Sequence, residues 1–98
     1  LTNRMLSAGE AREMGVIDRF VPDDELQDAA MQQAKAFAAG PTKAYGATKR
    51  LLQETWDTGL ETQMDRETRS IGALTKTADA MEGIDAFLNK RKPDFKGS

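Results

Sequence analysis

The stretch A-F-L-N-K-R-K-P-D-F, residues 86–95, marks the end of the last predicted helix of this chain. It joins an apolar helical stripe to three consecutive cations, Lys90, Arg91 and Lys92, and Pro93 then stops the helix. Cations in the last turn interact favourably with the helix dipole, so helix termination alone explains the cluster. The alternative is that the cations and the flanking aromatic residues form part of a binding site for an anionic, aromatic ligand.

Composition limits the classes of function. The 98 residues include 14 Lys and Arg against 16 Asp and Glu, a formal net charge of −2, which argues against general nucleic-acid binding. The absence of Cys and His excludes disulfides, thiol nucleophiles, the common zinc sites and Ser-His relays. We predict no metal site, no membrane-spanning segment and no secretory signal, and we expect a cytoplasmic protein, or one of the mitochondrial matrix or peroxisome in a eukaryote.

The first 22 residues are predicted to form a short strand-helix-strand unit. Ser7 and Glu10 have capping-box spacing, and Gly15 suits the left-handed residue that ends a short helix. Residues 17–21 alternate like a half-buried strand, and residues 4–6 are the candidate partner strand, with Asn3 able to adopt a positive φ.

Four amphipathic helices are predicted after residue 22. Apolar periodicity and end signals place the first two at about 24–39 and from Pro41 to the break at Thr58-Gly59. The other two are placed at about 60–74 and from the cap Thr77 to the cations at 90–92. Each carries an apolar stripe along one face, and Gly72 and Gly83 are predicted to mark places of close approach. The fold class is therefore mainly α with a small β-α-β unit at the N-terminus.

Glu67 interrupts the apolar stripe of the fourth predicted helix. A carboxylate in such a seam is either an acid of raised pKa or one partner of a buried ion pair, and the neighbouring Arg66 and Arg69 favour pairing. A lone carboxylate without a second titrating partner is a poor acid-base site, so no catalytic role is assigned to it.

Four stretches, in order, resemble the C-terminal part of the enoyl-CoA hydratase/isomerase (crotonase) superfamily. Residues 1–11 resemble its L-T-G-R and S-A-x-E-A patterns, residues 14–22 its G-L-V-[ND]-x-V-V-P, residues 47–52 its A-x-K-x-x-[LI], and residues 82–95 its terminal E-G-[IM]-x-A-F-x-[ED]-K-R-x-P-x-F. Asn3, Gly9 and Asn89 depart from the family pattern, and Asn89 leaves Lys90 with one less competing anion.

The resemblance implies a crotonase-type α/β spiral fold in the full-length protein, with residues 1–22 at the end of its core. Residues 23–98 would then form a helical region that makes oligomer contacts, in a trimer or a dimer of trimers, and covers the CoA site. The family stabilises the enolate of a CoA thioester with backbone N–H groups and acidic residues that lie upstream, so no catalytic residue is expected in this chain. An acyl-CoA is the implied substrate, with no tightly bound cofactor.

Phe87 and Lys90 match the aromatic residue and the lysine of the family's A-F-x-x-K, which approach the adenine and phosphate end of CoA, often from a neighbouring subunit. Three residues apart on a helix, the ring and the ammonium would share a face. Without the resemblance, Phe87 is equally explained as a core residue beside Ile84, and Lys90 as a solvated lysine.

The predicted function is that of a C-terminal fragment of an acyl-CoA enzyme, with hydratase as the first choice and isomerase as an alternative. A stand-alone helical interaction module is a second alternative. Nucleic-acid binding through residues 90–92 is disfavoured because three cations in a net acidic chain release few counterions.

Overall fold

The computed structural model describes residues 2–98, so Leu1, the first residue of the L-T-N-R pattern, lies outside the described part. The helices are α1 (Ala8–Glu13), α2 (Leu26–Ala38), α3 (Thr42–Glu54), α4 (Leu60–Leu74) and α5 (Ala78–Leu88), with short 3-10 helices at Asp23–Glu25 and Thr55–Asp57. The mainly helical prediction and its four helices after residue 22 are confirmed. Residues 2–98 divide into two compact units, one ending at Gln33 and the other running from Ala34 to Ser98.

Helix α1 begins and ends as its sequence predicts. The Glu10 N–H donates to the Ser7 hydroxyl at 3.2 Å, and the Ser7 N–H donates to the Glu10 carboxylate at 2.9 Å. After Met14, Gly15 has φ 73° and its N–H donates to the Arg12 carbonyl at 3.0 Å. Asn3 adopts the expected positive φ, 53°. The capping box and the terminating glycine therefore define this helix locally.

The predicted β-α-β unit is wrong, because no strand forms anywhere in residues 2–98. At the start of the expected strand 17–21, the Ile17 N–H donates to the Ala11 carbonyl of α1 at 3.4 Å instead of to a neighbouring strand. Ile17 and Phe20 remain 36% and 48% exposed. Alternating polarity is typical of a strand, but a strand also requires a hydrogen-bonded partner, which residues 4–6 do not provide.

Helices α3 and α4 pack against each other through small and polar side chains. Ala47 of α3 is 5% exposed and Gln63 of α4 is 8% exposed. The Gln63 amide N–H₂ donates to the Leu51 carbonyl at 3.3 Å and to the Glu67 carboxylate at 3.1 Å. This amide therefore joins the last turns of α3 to the middle of α4.

The large apolar residues of the predicted stripes are mostly exposed. Within the described chain, the only buried hydrophobic residues are Ala47 and Ala86. The stripe of α4 presents Leu60, Met64 and Ile71 at 76%, 58% and 63% exposure. The periodicity therefore located the apolar faces, and the chain itself leaves most of their large side chains uncovered.

Glu67 does not form the buried ion pair considered from the sequence. It is exposed, while Arg66 pairs with Glu54 at 3.1 Å and Arg69 pairs with Asp65 at 2.9 Å. Gly72, predicted as a close approach, lies in open surroundings, since a β-carbon placed on it would meet no atom within 4 Å. Both expectations assumed a buried α4 seam that this chain leaves open.

Candidate ligand-binding site at the end of helix α5

Helix α5 begins at a cap and ends in a tight left-handed turn. The Thr77 hydroxyl accepts from the Ala80 N–H at 3.2 Å. At the other end, the Lys90 N–H donates to the Phe87 carbonyl at 3.2 Å and the Arg91 N–H donates to the Ala86 carbonyl at 3.0 Å. These two bonds form a Schellman motif around the helix C-terminus.

Lys90 occupies the position of that motif where glycine is usual. Its φ is 52°, and a non-glycine residue in the left-handed region costs roughly 1–2 kcal/mol. Lys90 therefore lies after the last helical residue, Leu88, and the expectation that it shares a helix face with Phe87 is wrong. The hydrogen bond from Lys90 to the Phe87 carbonyl nevertheless places both residues in the same turn.

Phe87 is not a core residue. Its exposure is 82%, and Ile84, its neighbour on the predicted stripe, is 55% exposed. A different face of α5 is buried instead, with Asp79 at 5% and Ala86 at 1% exposure. Phe87 therefore presents an aromatic surface that no other part of the described chain covers.

The three cations of the opening stretch have different partners. The two terminal nitrogens of Arg91 donate to the Glu82 carboxylate at 2.6 and 2.8 Å, and Arg91 also pairs with Asp85. Lys90 and Lys92 form no ion pair with any residue in 2–98. Arg91 is therefore a structural residue, and the two lysines carry the charge available to a ligand.

Glu82 joins the helix to the chain beyond the proline. Besides Arg91, its carboxylate accepts the Asp94 N–H at 2.7 Å. The Arg91 guanidinium and then the Asp94 N–H hold the pKa of Glu82 at about 2, far below its ordinary value of 4.5. The Glu82 carboxylate and then the Asp85 carboxylate raise the pKa of Arg91. Both groups are therefore charged at neutral pH.

Residues 93–98, here called the C-terminal strap, run back along α5. The buried Asp79 carboxylate accepts the Lys96 N–H at 2.7 Å and the Gly97 N–H at 2.9 Å, and the Asp79 N–H donates to the Ser98 carbonyl at 3.1 Å. A β-carbon placed on Gly83 would lie 3.5 Å from the Phe95 ring. Gly83 therefore packs beside an aromatic ring at a distance that a β-carbon would turn into ordinary van der Waals contact.

Asp79 and Glu82 are the residues of this region that sequence reasoning missed. The sequence indicates Asp79 only as a favourable charge in the first turn of α5. Its partners are 17 and 18 residues away, and those of Glu82 are 9 and 12 residues away. The helix ends at Leu88, between each of these residues and its partners, so no helical periodicity connects them.

The region has the chemistry of a binding surface. An exposed ring and two ammonium groups without an ion pair suit an aromatic anion, whereas the carboxylates of Glu82 and Asp85 are engaged with Arg91. In the described residues, no group of three His, Cys, Asp or Glu side chains comes together in an arrangement that could hold a metal ion. No helix within residues 2–98 is both long and apolar enough to cross a membrane.

Comparison with known proteins identifies the family. The profile of the family described as enoyl-CoA hydratase/isomerase matches residues 1–98. This chain belongs to the enoyl-CoA hydratase/isomerase family. The resemblance seen in the four sequence patterns is therefore confirmed at the level of the crotonase superfamily.

Two similar proteins carry names that belong to this family. The chain is 38% identical over 97 residues to 1,2-epoxyphenylacetyl-CoA isomerase of Escherichia coli K12, an alignment covering 99% of this chain and 37% of the relative. It is 37% identical over 92 residues to a probable enoyl-CoA hydratase of Rhodobacter capsulatus, covering 94% of this chain and 36% of the relative. The chain thus spans just over a third of the length of these relatives.

A solved structure shows the shared fold. An enoyl-CoA hydratase from Bacillus anthracis matches with a TM-score of 0.88 and 31% sequence identity, over 99% of this chain and 38% of that one. The helices of this enoyl-CoA hydratase/isomerase family member therefore follow the crotonase fold.

Proposed function

We propose that this chain is the C-terminal part of an enoyl-CoA hydratase, which adds water across the double bond of a 2-enoyl-CoA. The observation that carries the proposal is that the family profile matches the whole chain, while the chain spans just over a third of its relatives. Relatives named as enoyl-CoA hydratases support the reaction. The likeness of residues 82–95 to the family's terminal motif supports the C-terminal position.

The exposed apolar faces support a role within a larger assembly. Large side chains at more than half exposure occur on α4 and α5 and at Trp56, which is 89% exposed. Large apolar side chains left exposed in such number along helices favour an interface. In the complete enzyme these faces pack against upstream residues and neighbouring subunits, as a trimer or a dimer of trimers. Residues 1–22 then end the core and residues 23–98 form the helical region.

Catalysis in this proposal depends on upstream residues. The chain has no His or Cys, and its buried carboxylate, Asp79, is saturated by the strap. Backbone N–H groups that stabilise the enolate oxygen and acidic residues that move the proton are supplied by the upstream part of the enzyme. This chain contributes contacts to the CoA portion of the substrate and no catalytic residue.

Phe87 and Lys90 are the proposed CoA contacts. The ring offers an apolar surface to adenine, and stacking of a base on an aromatic side chain contributes roughly 1–3 kcal/mol. The Lys90 ammonium offers a point charge to phosphate. Its strained backbone conformation and its lack of a carboxylate partner among the described residues both support a functional reason for lysine at this position.

Activity measurements test the fragment proposal. The complete gene product and the isolated 98-residue chain are each assayed for hydration of crotonyl-CoA. We expect turnover by the complete protein and none by the isolated chain, because the oxyanion site and the acidic residues lie upstream. Turnover by the isolated chain would refute the proposal.

Affinity measurements test the proposed contacts. CoA is titrated into the complete enzyme and into its Phe87→Ala and Lys90→Ala variants, and we expect each substitution to raise the Kd by about tenfold, equivalent to about 1.4 kcal/mol. Lys76→Ala is the matched control, since Lys76 is exposed and lies in a turn remote in sequence from α5's end. Unchanged affinity in both α5 variants would remove the ligand role.

Isomerase activity is the second candidate for the complete enzyme. The observation that favours it is the 38% identity to 1,2-epoxyphenylacetyl-CoA isomerase. Product analysis separates the two reactions, because hydration adds the atoms of water to the substrate whereas isomerisation leaves its mass unchanged. A helical interaction module remains the third candidate, favoured by the exposed stripes, and it predicts no CoA binding by the complete protein.

A further inference from the structure

We propose that Glu82 is a positioning residue for the CoA site: through Arg91 and Asp94 it fixes the turn that carries Lys90. The inference rests on the proposed function and deepens it, since Glu82 itself is assigned no contact with the ligand. The inference gives a structural role to Arg91, which is the one cation of residues 90–92 that pairs with carboxylates.

Glu82 contacts the chain on both sides of the turn. Arg91 comes directly after Lys90, and its guanidinium binds the Glu82 carboxylate in a bidentate manner at 2.6 and 2.8 Å. Asp94 follows Pro93, and its N–H reaches the same carboxylate at 2.7 Å. One side chain of α5 therefore fixes both the exit from the turn and the start of the strap.

The strap provides a second anchor farther along the chain. Asp79 holds the N–H groups of Lys96 and Gly97, and its own N–H holds the Ser98 carbonyl. Residues 91–98 are thus attached to α5 at two places, three residues apart on one side of the helix. Lys90 lies between the rigid helix and this attached segment.

Lys90 requires such support because its conformation is intrinsically unfavourable. An L-residue at φ 52° returns to more populated regions unless the surrounding structure prevents it. If the Glu82 contacts are lost, the turn is free to change its backbone angles, and the ammonium no longer has one place relative to Phe87. A ligand must then order the turn itself, which reduces affinity.

A double-mutant cycle on the complete enzyme tests this inference. CoA is titrated by calorimetry into the wild type, Glu82→Gln, Lys90→Ala and the double variant. We expect Glu82→Gln alone to raise the Kd about threefold to tenfold, and to have no further effect when Lys90 is already alanine. Glu54→Gln is the matched control: it removes the same charge from another Arg–Glu pair, at 3.1 Å from Arg66, and should leave the Kd unchanged.

The outcomes of the cycle distinguish the positioning role from the CoA site itself. If Lys90→Ala weakens CoA binding and Glu82→Gln does not, the positioning role is wrong and the CoA site stands. If Glu82→Gln weakens binding equally in both backgrounds, its effect is a general structural one, and the positioning role is again wrong. If Lys90→Ala has no effect, the proposed site fails, and the positioning role fails with it.

A second variant keeps the test decisive if Glu82→Gln does not fold. Asp85→Asn removes the other carboxylate that pairs with Arg91 and leaves the Glu82 contact with Asp94 in place. Thermal unfolding followed by circular dichroism establishes which variants are folded. We expect Asp85→Asn to give a smaller increase in Kd that likewise disappears in the Lys90→Ala background, and an increase that persists there would overturn the inference.

Discussion

Helices α1 and α5 end in the same hydrogen-bonded motif but use different residues in it. At α1, the N–H groups of Gly15 and Val16 donate to Arg12 and Ala11 at 3.0 and 2.8 Å. At α5, the corresponding distances, from Lys90 to Phe87 and from Arg91 to Ala86, are 3.2 and 3.0 Å. The left-handed residue is glycine at φ 73° in the first motif and lysine at φ 52° in the second.

The turn after α1 is stabilised by its own residues. The turn after α5 depends on contacts with residues that are distant in sequence. Glycine reaches positive φ without a β-carbon penalty, so the end of α1 needs no outside support. Lysine does not, and the end of α5 is held by Glu82 and Asp79 through the strap. An unfavourable residue retained by additional contacts is the pattern expected where the side chain has a function.

Removing the deeper anchor of the strap should have the largest effect on stability. Asp79→Ala deletes two charge-assisted hydrogen bonds at a residue that is only 5% exposed, so we expect the free energy of unfolding to fall by about 2–4 kcal/mol. Urea denaturation monitored by circular dichroism measures the loss. Asp28→Ala, at an exposed acid in the first turn of α2, is the control and should cost less than about 1 kcal/mol. Equal losses in the two variants would show that the strap adds nothing.

Placing lysine in the first motif tests whether the conformation itself is unfavourable. Gly15→Lys should destabilise the protein by roughly 1–2 kcal/mol, because a β-carbon at Gly15 meets nothing within 4 Å and the whole effect is conformational. Gly46→Lys, in the exposed interior of α3 with equally open surroundings, should instead be neutral or stabilising. Thermal denaturation compares the pair, and a neutral Gly15→Lys would contradict the strain assigned to Lys90.

The reverse exchange separates stability from binding. Lys90→Gly should raise the free energy of unfolding by up to about 1 kcal/mol, since glycine accepts positive φ. In the complete enzyme it should also weaken CoA binding as much as Lys90→Ala does. Lys76→Gly is the control: its φ is not among the positive values, so glycine there should bring no gain. If Lys90→Gly lost stability, the lysine side chain would have a structural role and the comparison of the two motifs would fail.

Capping residues and apolar periodicity predicted the helices well. They did not predict which surfaces pack against each other. Ser7, Glu10 and Gly15 define α1 through contacts within a few residues, and these were predicted. The stripe of Leu60, Met64 and Ile71 was also located, but periodicity reports which face is apolar and not which molecule covers it. The predicted strand 17–21 failed for a related reason, since pairing depends on a partner that local alternation does not specify.

The candidate site was predicted in part. The stretch 86–95 identified Phe87 and Lys90, whose contact with CoA stays a prediction. The left-handed turn at Lys90 was missed because a run of cations is also a normal helix end. Asp79 and Glu82 were missed because their partners lie in the strap and in the turn before it, and the sequence pattern does not indicate that this segment returns along α5.

The smallest expected effect is the loss of stabilisation by Glu82 at low pH, which should affect the end of α5 and not the end of α1. Glu82 has a folded pKa of about 2 against an ordinary 4.5, and the charges facing it are Arg91, which donates to it, and the more distant Lys96. Because the folded pKa is depressed, the stabilisation from Glu82 is fully present above 4.5 and is lost as the pH falls from 4.5 towards about 2. Hydrogen exchange at the Asp94 amide should therefore become less protected over that interval, whereas protection at Gly15, whose N–H donates to the Arg12 carbonyl, should be the same in the wild type and in Glu82→Gln. Since Glu82 is solvent-accessible, screening keeps the effect small, and it is best seen as a difference from Glu82→Gln, which has no carboxylate to titrate. An Asp94 amide that loses protection identically in the wild type and in Glu82→Gln would show that Glu82 does not hold the strap.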